Sequence, residues 1–168
     1  MGLAQALLPE FDAEMAKTRT TLERVPEDKF EWRPHPKSMT MVDLATHVAN
    51  LPSWVSVTLE QDGFDIDPPD GDSPRPEPIT SVADALGRFD HNVMQARKSI
   101  SGAEDEVFYQ SWSLLNGGET VFTAPKVGVL RSFVMNHLIH HRAQLGVYLR
   151  INDVPVPALY GPSADEAG

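Results

Sequence analysis

Apolar residues recur at helical spacing in four stretches of the chain, and proline and glycine mark the breaks between them. Leu7, Phe11, Met15, Thr18 and Leu22 fall at intervals of three and four, with Glu10, Asp12, Glu14, Lys17 and Arg19 largely between them. That period predicts a first helix over residues 3–24, ended by Pro26. The segment FEWRPHPKSM holds Pro34 and Pro36 and is expected as an ordered loop. Ser38 or Thr40 then offers an N-cap oxygen to a second helix running from about Thr40 to Gln61. Pro52 removes a backbone donor inside it and predicts a kink or break near Asn50.

Residues 62–79 hold five prolines and five aspartates without a helical period, which predicts a long surface connection. A third helix begins near Thr80 or Ser81, carries Val82, Leu86, Phe89, Val93, Ala96 and Ile100 on one stripe, and ends at Gly102. Between residues 106 and 125 the turn signal Asn116-Gly117-Gly118 suits a short hairpin. Pro125 opens a fourth helix that continues to about Arg150, ahead of Pro155 and Pro157. Four amphipathic helices around one core predict an all-α four-helix bundle over residues 1–168, with the long connection as a crossover between helices two and three.

Composition narrows the chemistry. With 168 residues, 41% apolar and 23% charged, the chain is expected to be one globular domain, neither disordered nor membrane-spanning. Its start, MGLAQALLPEF, lacks the pattern of an export leader, so a cytoplasmic location is expected. There is no cysteine, which removes thiolate ligands and a cysteine nucleophile, so any metal must be held by His, Asp, Glu or water. A net charge of -10 and the lack of a basic run disfavour nucleic acid as a partner.

Within FVMNHLIHHRAQLGVYL, His137 and His141 stand four residues apart, so a helix turns both imidazoles to one face. Leu130, Val134, Leu145 and Tyr148 share that face, with Arg131 and Arg142 bounding it. His47 lies in the middle of a stripe made by Leu44, Leu51, Trp54 and Val55, so a second helix supplies a third inward histidine. Buried imidazoles without partners cost about 1 to 3 kcal/mol each, which calls for a shared ligand or a hydrogen-bond network. Three histidine ligands leave a metal ion with open positions for water or substrate. His140 sits at the edge of the face, His91 is expected in solvent and His35 in a loop role. Asp43 suits the first turn of its helix better than a role behind His47.

The stretches WRPHPKSMTMVDLATHVANLPSW and NHLIHHRAQLGVYLRINDVPVPALYGPSADE resemble the DinB/YfiT-like family, and the likeness spans nearly the whole chain. The resemblance implies a four-helix bundle with a long crossover, and a metal site matched here by His47, His137 and His141. It also implies a homodimer, and activities among thiol-dependent S-transferases, isomerases and metal-dependent hydrolases. The reading that follows is an enzyme whose three histidines hold a divalent ion, zinc or nickel, that activates water or a low-molecular-weight thiol toward a small-molecule substrate. Asp43, Tyr148 and His140 are the candidates for a general base. Its competitors are a non-catalytic binding or dimerising scaffold and a purely structural metal site.

Overall fold

The computed structural model describes residues 2–69, 71 and 76–167. The first helix, α1 (Leu3–Leu22), buries Phe11, Met15, Thr18 and Leu22 along the expected stripe, together with Glu14. The proline loop leads to Thr40, which caps α2 (Met41–Asn50) in a capping box with Asp43. The Asp43 amide donates to the Thr40 hydroxyl and the Asp43 carboxylate accepts from the Thr40 backbone. Pro52 breaks the second helix as its missing N–H requires: a tight 3₁₀ turn, Leu51–Ser53, separates α2 from α3 (Trp54–Glu60). The third stripe forms α4 (Val82–Gly102), capped by the Ser81 hydroxyl.

The chain is not all-α. Strand β1 (Gly63–Asp65) pairs in parallel with β2 (Ser111–Asn116), which pairs antiparallel with β3 (Glu119–Pro125) to give a three-stranded mixed sheet of order β1-β2-β3. A short helix, α5 (Asp105–Tyr109), precedes the hairpin. The expected surface connection thus begins with a strand, while Asp70 and residues 72–75 of it lie outside the described residues. Three residues are too few to show a period of two, and β3 exposes most of its positions, so neither strand announces itself by alternation. At the hairpin Gly117 and Gly118 take φ of 63° and 81°, the positive values that a two-residue primed turn needs. The Asp65 carboxylate accepts hydrogen bonds from both glycine amides at 3.1 and 2.7 Å and ties β1 to this turn.

The last helical stretch starts at Pro125 as expected but is not uniform. A turn of α6 (Lys126–Val129) passes into a π-helical segment, Leu130–Asn136, and then into α7 (His137–Ile151). Helix α4 packs on α1, α2 and α3, and α7 packs on α1 and α2, so the main core lies between these elements. A second core of Trp112, Leu114 and Val129 gathers Trp54, Phe64, Phe122 and Phe133 beneath the sheet.

Arg142, expected at the rim of the apolar face, is 1% exposed. Its guanidinium donates to the Glu14 carboxylate at 2.7 Å, to the Glu14 carbonyl at 3.0 Å and to the Thr18 hydroxyl at 3.2 Å. Tyr160 adds a hydroxyl that donates to Glu14 at 2.6 Å and accepts from Arg142. Truncating one member of a buried pair strands the other, so Arg142→Leu is expected to lower stability by about 3 kcal/mol. Urea denaturation should show a smaller loss for Glu14→Leu with Arg142→Leu than the sum of the two single changes. Simple additivity would mean that the pair is not coupled.

Candidate metal centre

Two helices bring the histidines together. His47 projects from α2 one turn before the Pro52 break, and His137 and His141 stand on successive turns of α7. The Nε2 atoms of His47 and His137 lie 3.2 Å apart. The His141 ring is 4.5 Å from that of His47 and 4.6 Å from that of His137, centroid to centroid. One ligand atom from each residue falls within 4.8 Å of the others, an arrangement that can hold a metal ion.

The hydrogen bonds around the cluster put a lone pair on Nε2 in two of its three histidines. A carbonyl oxygen only accepts, so the contact of 3.2 Å between His137 Nδ1 and Phe133 O places the proton on Nδ1 and the lone pair on Nε2. His141 Nδ1 does the same toward Gln144 Oε1 at 2.7 Å. His47 Nε2 then carries the hydrogen shared with His137, and to ligate through Nε2 it moves that proton to Nδ1. Zinc–imidazole bonds of about 2.0–2.1 Å at a tetrahedral angle put the two nitrogens about 3.3 Å apart. The separation of His47 and His137 is close to that chord, so the pair fits a shared ion.

Burial keeps all three rings neutral. It is the main cause that pushes the His47 pKa down from 6.5 to about 4, with the neighbouring His141 and His137 lowering it further. Burial also lowers His137 and His141, against the opposing effect of their bonds to Phe133 and Gln144.

Other expected residues stand apart. Asp43 is committed to the α2 cap, and the Tyr148 hydroxyl donates to Met39 O at 3.2 Å, which pins the proline loop to α7. His140 is exposed, its ring 4.9 Å from that of His141, while His91 and His35 are exposed on α4 and in the loop. None of the three general-base candidates is a member of the cluster. Gln144 and the Phe133 carbonyl escaped the sequence reading. Gln144 was within reach of it, because position i+3 from His141 puts an amide beside that ring.

Beside His47 a groove of about 470 Å³ opens where α2 breaks, bounded by Asn50, Ser53, Trp54, Val57 and Phe64.

The family model for the DinB family matches residues 1–167. The chain belongs to the DinB family. Among solved structures, it is similar to a DinB-like protein from Bacillus cereus ATCC 10987, with a TM-score of 0.68 and 20% identity over 93% of this chain and 97% of that one. A DinB-like protein from Bacillus subtilis, YjoA, gives a TM-score of 0.64 and 15% identity over 89% of this chain and 94% of that one. At these identities the likeness is one of fold. No curated protein matches the chain. Among the described residues, no helix of this DinB-family chain is long and apolar enough to cross a membrane.

The depressed histidine pKa sets a pH dependence for the metal-free protein. Between about 4 and 6.5 the unfolded chain binds more protons at His47 than the folded one, so stability is full above 6.5 and declines as pH falls toward 4. The Tm of chelator-treated protein is expected to drop between pH 7 and pH 5, and to drop less in His47→Asn. An equal drop in the variant would assign the effect to other groups.

Proposed function

We propose that the protein is a metal-dependent enzyme in which His47, His137 and His141 hold one divalent ion, zinc or nickel. The observation that carries this reading is the convergence of three neutral imidazoles, two with Nδ1 already bonded to an acceptor. A bound divalent ion in such a site acts as a Lewis acid that lowers the pKa of water or of a thiol, which suits hydrolysis or thiol S-transfer. Three protein ligands rather than four support an open site over a structural staple. The groove beside His47 gives a small substrate access to that side of the cluster. The net charge of -10 supports a small molecule over a nucleic acid as the partner.

The chain's own groups have definable parts in this reading. Phe133 O and Gln144 fix the tautomers of His137 and His141 and hold their rings in place. The ring of Phe133 packs against that of His137, with centroids 5.7 Å apart.

Metal analysis of protein purified without a histidine tag should find about one divalent ion per chain, lost in His47→Ala and in His141→Ala. Absence of the ion from the wild type, or its full retention in both variants, sinks the reading. Thiol-dependent consumption of a generic electrophile separates S-transfer from hydrolysis. Competition with a chelator should show Gln144→Leu binding the ion about 10- to 100-fold more weakly, with Gln144→Glu restoring it. Equal affinity in all three proteins would show that Gln144 has no part in orienting His141.

A further inference from the structure

The groove beside His47 has a chemistry of its own. Trp54 and Phe64 meet edge to face there, with ring centroids 5.0 Å apart, and Leu51 and Val57 extend the apolar wall. Among the described residues it has no Lys, Arg, Asp or Glu in its lining. Besides His47, its polar groups are the neutral Asn50, the last residue of α2, and Ser53, in the turn at Pro52. Ser53 donates its hydrogen to Asn50 O at 2.8 Å, and Asn50 Nδ2 donates to Thr46 O at 2.8 Å, so Ser53 Oγ remains able to accept a further hydrogen bond. A volume of about 470 Å³ lies in the range of small-molecule sites, where apolar walls supply affinity and a few polar groups fix orientation.

An anion entering this groove loses hydration and gains no cationic partner among the described residues, while the chain's charge of -10 opposes its approach. A flat uncharged ring loses little on entering and gains edge and face contacts with Trp54 and Phe64. We propose that this groove seats an uncharged aromatic portion of the substrate carrying a hydroxyl or N–H donor, placed so that its reactive end faces His47. This assignment rests on the reading of His47 as part of the catalytic metal site.

The test compares 2-naphthol with 2-naphthoate on the full chain, by calorimetry and by the change in tryptophan emission. Chelator-treated protein is used, so that the carboxylate finds no ion to bind. The naphthol is expected to saturate one site per chain with a Kd at least tenfold below that of the naphthoate, and Trp54→Ala to raise that Kd at least tenfold. Because Trp54 also packs in the second core, Ser53→Lys provides a milder change: the naphthoate should then bind at least tenfold better than it does to wild type. Equal binding of the two probes, an unchanged Kd in Trp54→Ala where that variant folds, no gain for the naphthoate in Ser53→Lys, or no saturable binding each overturns the assignment. Since no ion takes part, loss of this proposal leaves the metal reading standing, and a protein that purifies without metal leaves the groove still testable.

Discussion

Three half-buried imidazoles whose ligand atoms lie within 4.8 Å of one another must remain neutral, and much of the surrounding structure serves that requirement. A charged ring at this position would lose hydration and repel its neighbours, which is why burial heads the causes that depress all three histidines. Neutral rings in turn need their protons directed. The Phe133 carbonyl and the Gln144 amide accept hydrogen bonds from Nδ1 of His137 and His141, which leaves the lone pair of each ring on Nε2. The result is a set of candidate ligands with the lone pair on Nε2 at two of three positions, and His47 is the ring that would have to exchange its proton site to join them.

Such an arrangement is only as accurate as the rotation of α7. Arg142 follows His141 by one residue and therefore points about 100° around the helix. Its bonds to Glu14 and Thr18 of α1 fix that rotation from behind the site, and Tyr148 fixes it again through the Met39 carbonyl. Apolar packing around Leu138, Leu145 and Leu149 supplies the driving force but is tolerant of small rotations. A buried ion pair contributes little net energy against an apolar replacement, and its worth here lies in selecting one orientation.

The long helices were legible because their periods extend over many turns, and the three histidines because each lay in an apolar stripe. Arg142 was not. A charged residue at the edge of a stripe is normally in solvent, and its partner Glu14 stood 128 positions earlier among residues assigned to the polar face. No local period carries a pairing of that range. The strands failed for a related reason: β1 is too short to alternate, and its partner β2 lies some 50 residues downstream. The π segment also escaped, since a wheel drawn at 100° per residue assumes α geometry through Leu130–Asn136 and loses phase where the hydrogen bonding widens. His137 and His141 survived that error because both lie beyond it, in regular α7.

The sheet that an all-α reading left out is physically joined to the site. Phe133, in the π segment, packs against His137 on one side and against Trp54, Trp112 and Phe122 on the others. Trp54 in turn forms the wall of the groove beside His47 and meets Phe64 of β1. Helices alone would leave this aromatic cluster facing water. Strands β1 to β3 cover it, which holds Phe133 where its carbonyl receives the His137 proton and holds Trp54 where it lines the groove. The close approach of β1 to β2 depends in turn on Gly63, where an added Cβ would meet Ser113 O at 2.7 Å. One small backbone requirement in the sheet therefore bears on the groove wall and, through Phe133, on the orientation of a candidate ligand.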